Sequence, residues 1–506
     1  MEKIHLVYME RSSKGRIAAL FHIVGGIFIM QPNWLAQRSY LTPNRVALSF
    51  QNNQWTFKEL HLEAISIAEK LATLHLRSGD RVAILSPSRP ELIMMIYGCM
   101  HAQLEIVFLN GRLSVHELKY QIDDAQVKTI LVHEQEQEKL QVDIRMITFN
   151  TVFTAAKTPI QIATEWDDSA TISIMYTSGT TGFPKGVRQT VQNHSSSAIS
   201  SALNLGLKED DVWLCAVPIF HISGFSILMR SLLYGMTVCL YEKFDEAMCA
   251  QEIVQGSVTK ISVVAVMLER ILTYMEEHEL IANANFTTML LGGGPVPVDY
   301  LARAAKLNLP VAQTYGMTET SSQTATLSNE DAMRKIGSAG KPLFFNQIKI
   351  DGATKPEEEG EICIRGPHVT PGYIGKFAER AATEDGWLKT GDIGYLDKEG
   401  YLYVIDRRSD LIISGGENIY PAQIENVLVA HPAVKEAGVC GIEDKIWGQV
   451  PIAFVVLKQQ MTEDELMDFC KERLASYKLP KQIHFVHELP RSGSNKLLRR
   501  KLKEIL

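Results

Sequence analysis

The chain of 506 residues has no Cys-x-x-Cys pair. Its cysteines, at 99, 215, 239, 249, 363, 440 and 470, are odd in number and irregular in spacing. That argues against a disulfide framework or a zinc site and for free thiols in a reducing compartment. None sits in a nucleophilic motif, and no convincing nucleophile–base pair occurs elsewhere. Positive charge is not in excess: the net charge is -7, which gives no sign of nucleic-acid binding. Internal repeats and low-complexity linkers are missing. No apolar run is long enough to span a bilayer comfortably. The one from Ile17 to Met30 follows basic residues (Lys3, Arg11, Lys14, Arg16), as in a signal peptide. It is broken by His22 and Gly25-Gly26 and has no small-x-small cleavage site. We therefore expect a cytoplasmic protein without stable membrane insertion. Residues 1–30 are expected to be an N-terminal extension, from a start codon set too far upstream, outside the folded core.

What is present is a soluble globular composition, 46% hydrophobic and 22% charged. The length exceeds one compact core and implies at least two domains. Residues 33–75 read as two helices around a short hairpin. Arg81–Leu85 and 105–110 read as strands around an apolar helix starting at Pro90. Ser262–Met267 reads as a further buried strand. Such alternation predicts a parallel, helix-covered sheet.

One stretch dominates: Met175-Tyr176-Thr177-Ser178-Gly179-Thr180-Thr181-Gly182-Phe183-Pro184-Lys185-Gly186. An apolar strand feeds hydroxyls, glycines and one ammonium, a set suited to polyphosphate. It is not a P-loop. Five residues after Gly179 stands Pro184, and Lys185 is followed by glycine. Taken alone, it could be a polar surface loop. Further stretches accompany it. Phe220-His221-Ile222-Ser223-Gly224 exposes a histidine at a turn. Leu291-Gly292-Gly293-Gly294 ends a strand where a flat group could lie against bare backbone, or where a tight turn is needed. Thr314-Tyr315-Gly316-Met317-Thr318-Glu319 offers an aromatic face for a purine, a hydroxyl for phosphate and a hard oxygen for Mg²⁺. Asp392, after Thr390-Gly391, reads as a carboxylate at a turn.

In type and order these motifs resemble the adenylate-forming superfamily of acyl-CoA synthetases, adenylation domains and luciferases, over residues 31–506. The resemblance implies an α/β fold: a large N-terminal domain of helix-covered mixed and parallel sheets (31–405), a hinge (406–410) and a small mobile α+β C-terminal domain (411–506). It implies that ATP is bound by Thr177, Ser178, Gly179, Thr180, Thr181, Gly292, Gly293, Gly294, Thr314, Tyr315, Gly316, Thr318, Asp392 and Arg407. Lys185, His221 and Lys496 take catalytic roles, and Glu319 holds Mg²⁺. Phe220, His221, Gly293, Ser321 and Ser322 border the acid, and Gly415 and Gly416 line a tunnel for CoA. Ser409 falls at the pivot, where many relatives carry Asp or Lys.

Within the superfamily, Pro32–Leu35, Phe220–Gly224, Leu290–Pro295 and 406–421 look most like the o-succinylbenzoate–CoA ligases of menaquinone synthesis. The implied substrates are a small carboxylic acid, ATP and CoA. Fatty- or aryl-acid CoA ligases are the alternative. A carrier-protein adenylation enzyme is disfavoured because no carrier domain follows Leu506, and a dead binding protein because the charged motif residues are retained. The spare carboxylate of a diacid needs donors. The pocket motifs contain no evident buried arginine, so ordered water is expected to help. A homo-oligomer is compatible with the sequence.

Overall fold

The computed structural model describes residues 30–178, 183–292, 298–328, 330–332, 334–407, 410–490 and 499–506. The side chains of 178, 298, 299, 405–407, 422, 426 and 500 also lie outside the description. The expected extension, residues 1–29, falls outside it. Met30 does not: Met30–Pro32 pairs antiparallel with Glu165–Asp167, so ordered pairing begins one residue before the expected boundary.

Two large sheets form the N-terminal part. One is the parallel series Thr171–Ser178, Glu105–Phe108, Arg81–Leu85, Thr129–Val132 and Arg145–Thr148, with Pro184–Thr190 added antiparallel at its edge. The other is parallel in its middle, from Val46–Phe50 through Thr237–Leu240, Val212–Cys215, Lys260–Val263 and Thr288–Leu291 to Val311–Met317. Antiparallel strands close both its ends. The parallel strands are apolar runs because helices cover both faces. One apolar cluster joins the two sheets through helices Phe57–Thr73, Pro90–His101 and Ile222–Tyr234. An antiparallel sheet, Gln347–Ile350 to Leu402–Arg407, follows.

The small domain packs Pro421–Val429 and Glu463–Lys471 on a sheet built around the long hairpin Val434–Asp444 and Gly448–Leu457. The mixed α/β large part and α+β small part are as expected.

Two expectations need correction. The strand expected at Ser262–Met267 stops at Val263, and helix Ala265–Glu277 begins. Met267, Leu268, Ile271, Leu272 and Met275 are its buried stripe, at helical spacing. Asp392 is not at a turn. It lies inside strand Leu388–Leu396, where Glu361 faces Ile393 but Cys363 faces Lys389. Residues 390–392 thus bulge opposite Ile362, a device that re-aims side chains. The strand Leu402–Arg407 also runs two residues into the expected hinge.

Three histidines are buried with neutral partners. His101 meets Asn33 and His61, His194 meets Ser173, and His368 meets Thr324, at 2.9–3.1 Å. Burial lowers each from 6.5 to about 3, with His61 adding to the effect at His101. Their folded-state pKa values are depressed, so this stability is complete above 6.5 and is lost as pH falls toward 3. Each histidine costs up to about 1.4 kcal/mol per pH unit in that window. The urea midpoint should therefore fall from pH 7 to pH 5, and a constant midpoint would contradict the assignment.

Candidate active site

A cavity of about 1710 Å³ lies where the small domain meets the large one. Strands Thr171–Ser178 and Pro184–Thr190 form one wall, with Thr177 opposite Lys185. The Lys185 side chain is largely buried, its Nζ 5.5 Å from the ring centroids of both Tyr373 and Phe377. Aromatic faces suit a desolvated ammonium, and both Thr177 and Lys185 reach the cavity. Gly179, Thr180 and Thr181 lie outside the described residues, as does the Ser178 side chain.

A second wall is the hairpin Val311–Met317 and Ser322–Thr326. A Cβ on Gly316 would stand 1.7 Å from the Ser322 carbonyl oxygen, so only glycine allows the strands to close this tightly. The connection is a single turn, Thr318–Thr320, followed by Ser321 and Ser322 at φ 49° and 104°. Thr314, Gly316, Thr318, Glu319 and Ser322 therefore line the cavity together, with Gly292 beside them. Ser321 does not: it is fully buried, and its carbonyl accepts from Ser197. Gly293 and Gly294 lie outside the described residues.

Tyr315 departs from its expected place. Strand alternation turns its ring away from the cavity lining and into the cluster with Ile350, Ile362 and Leu388. Its hydroxyl donates to Asp392 Oδ2 at 2.6 Å. Asp392 lines the cavity from the bulge, and its backbone is in register with Arg407. The Tyr315 hydroxyl thus buttresses the carboxylate. The Arg407 side chain lies outside the description, as do Ser409 and Lys496.

The third wall carries Phe220 and His221, their rings 4.7 Å apart, just before helix Ile222–Tyr234. The small domain reaches this wall. Glu417 Oε2 lies 3.6 Å from His221 Nε2, and Arg112 Nη1 donates to Glu417 Oε1 at 2.9 Å. Burial alone would raise the Glu417 pKa. His221, Arg112 and Lys478 outweigh it and hold it below the usual carboxylate range. Gly415 and Gly416 also line the cavity, both at positive φ. A Cβ on either would meet Trp447 or Val264 at 2.8 Å.

Arg230 was not among the candidates; it is a buried arginine outside the pocket motifs, six residues beyond Gly224. It is 1% exposed on helix Ile222–Tyr234, with its guanidinium 5.1 Å from the Trp213 ring. Its Nη2 lies 3.2 Å from both Ser322 Oγ and Gln323 Oε1. Burial lowers its pKa, with Tyr234 opposing, yet a guanidinium stays charged in proteins. The signal was one arginine inside the apolar run Phe225–Leu233. Glu417, Gln323 and Trp447 are cavity residues also missed; Glu417 sat unremarked within a quoted motif.

Among the described residues no group of three His, Cys, Asp or Glu could hold a metal. Glu319, one of several carboxylates lining the cavity, fits Mg²⁺, which takes most of its ligands from phosphate and water.

These walls combine hydroxyls, cations and carboxylates in one cleft between two domains. The chain belongs to the AMP-binding enzyme family, whose profile matches residues 35–374, with the family's C-terminal domain at 423–496. It is 48% identical to the 2-succinylbenzoate–CoA ligase of Bacillus pumilus, over 94% of this chain and 98% of that one. It is 49% identical to that of Bacillus cytotoxicus, with the same coverage. Among solved structures it is similar to the o-succinylbenzoate CoA synthetase of Bacillus subtilis. A double mutant bound with a product analogue aligns at TM-score 0.89 and 47% identity, over 94% of this chain and 98% of that one. The same enzyme with its acyl-adenylate intermediate aligns at 0.72, with equal identity and coverage.

Gly316→Ala tests the hairpin. Overpacking of this kind costs roughly 1–3 kcal/mol or more, so the melting temperature should fall by several degrees and activity should be lost with it. An unshifted melting temperature would show that the strands can part freely.

Proposed function

We propose that this chain is a cytoplasmic, AMP-forming 2-succinylbenzoate–CoA ligase of menaquinone synthesis. The observation that carries the substrate is Arg230. A buried cation stands behind the cavity-lining Ser322, with only neutral hydrogen-bond partners among the described residues. A fatty acid has nothing to offer such a charge, whereas a second carboxylate does.

The aliphatic carboxylate oxygen attacks the α-phosphorus of ATP, and pyrophosphate leaves with the electron pair of the broken P–O bond. Lys185 and Lys496 offset charge on the phosphates, and Asp392, fixed by Tyr315, accepts the ribose hydroxyls. Mg²⁺ on Glu319 supplies further charge neutralisation when bound. The CoA thiolate then attacks the acyl carbonyl, and AMP leaves. Gly415 and Gly416 admit the pantetheine arm beside Trp447, near His221.

Residues 31–405 form the large domain and 411–506 the cap, with 406–410 and Ser409 as hinge. Two TM-scores for one Bacillus subtilis enzyme, 0.89 and 0.72, fit an enzyme with two domain arrangements. In that reading Lys496 serves the first step and swings away for the second.

With 2-succinylbenzoate the protein should release pyrophosphate, and with CoA also AMP and thioester. Equal turnover with long-chain fatty acids would contradict the substrate. Arg230→Met should raise KM for the diacid at least about tenfold, the worth of one charged hydrogen bond, and leave KM for ATP unchanged. Lys496→Ala should abolish adenylate formation but spare CoA transfer from supplied adenylate. Equal loss of both steps would contradict its role.

A further inference from the structure

Helix Val115–Asp124 opens with a capping box. Glu117 Oε2 accepts from the Ser114 backbone N–H and lies 3.0 Å from the Ser114 hydroxyl. Such a box needs only one carboxylate oxygen. The other oxygen, Oε1, is taken by the small domain: Lys478 Nζ donates to it at 2.7 Å and Gln423 Nε2 at 3.0 Å. The Lys478 and Glu117 side chains are only 5% and 6% exposed. The Ser114 hydroxyl also lies 2.7 Å from the Arg473 carbonyl. Five residues upstream, Arg112 holds Glu417. One short strip of the large domain, 112–117, thus meets the small domain through two separate charge contacts.

We infer that Glu117 and Lys478 form a docking pair that positions the small domain for the CoA-transfer step. The inference rests on the ligase reading above. The structure has the pair closed, and its overall shape matches the product-analogue complex at TM-score 0.89, against 0.72 for the acyl-adenylate complex. A buried pair that loses one partner leaves an uncompensated charge, which is strongly unfavourable. Here the charge has an escape that a core pair lacks. Undocking returns Lys478 to water, and Glu117 keeps its capping contacts. Losing one partner therefore lowers the docked population rather than unfolding either domain. Both residues line the cavity as well as the domain interface; with each charge spent on the other, the role assigned to them is positioning.

Glu117→Gln is the informative change, because glutamine still completes a capping box while removing the charge. Lys478→Met removes the other half. In the full-length chain, each should slow single-turnover transfer from isolated acyl-adenylate to CoA by about tenfold or more, the population effect of losing a buried ion pair. ATP–pyrophosphate exchange should stay within about twofold, and the double variant should be no slower than the slower single one, as expected of one coupled contact. Hydrogen exchange across 473–479, measured without substrate, should quicken in both variants. Unchanged transfer, equal loss of both half-reactions, or unchanged hydrogen exchange would each overturn the docking role. If wild-type protein activates no acid, the ligase reading fails on its own account, and the exchange measurement still decides whether the pair docks the domain.

Discussion

The approach of Gly316 to the Ser322 carbonyl is the constraint on which the site depends. Because no side chain intervenes, the two strands close within one turn. That turn forces Ser321 and Ser322 into left-handed backbone and commits neighbouring groups to opposite tasks. Thr318 and Glu319 line the cavity, Glu319 near Tyr373, whose ring stands beside Lys185. Ser322 faces helix Ile222–Tyr234 and meets Arg230. In the proposed function, two different chemistries, one for phosphate and one for a second anion, are thereby held a few residues apart by one pinch. A β-branched or even methyl side chain at 316 would separate them.

The remaining wall belongs to another domain. Glu417 reaches across to His221 and Arg112, so the cavity is complete only while the small domain is seated. Contacts of this kind are strong enough to define an arrangement, yet polar enough to be exchanged for water. The seated form agrees with a ligase that must expose an acyl-adenylate to a thiol after making it elsewhere in its cycle.

Much of the fold was legible because its periodicities are unambiguous. Residues 33–75 gave a helix, hairpin and helix. The motifs led to the cavity: Thr177, Lys185, His221, Thr318, Glu319 and Asp392 all line it. What failed did so for physical reasons. Apart from Ser262, the run Ser262–Met267 is apolar and satisfies strand and helix periods alike. The contact of Tyr315 with Asp392, 77 residues away, could not be read from residue type and motif order. The bulge at 390–392 depends on its partner strand and leaves no local mark. Arg230 and Glu417 acquire meaning only from partners 92 and 305 residues away, a distance no motif spans.

The central claim is that an acid oxygen becomes bonded to the α-phosphorus of ATP. It is tested most directly by supplying 2-succinylbenzoate labelled with oxygen-18 in its aliphatic carboxylate, together with ATP, Mg²⁺ and CoA, and following the label by phosphorus NMR. The account predicts one labelled oxygen in the phosphate of AMP and none in pyrophosphate. Label in inorganic phosphate, with ADP as the nucleotide product, would contradict it.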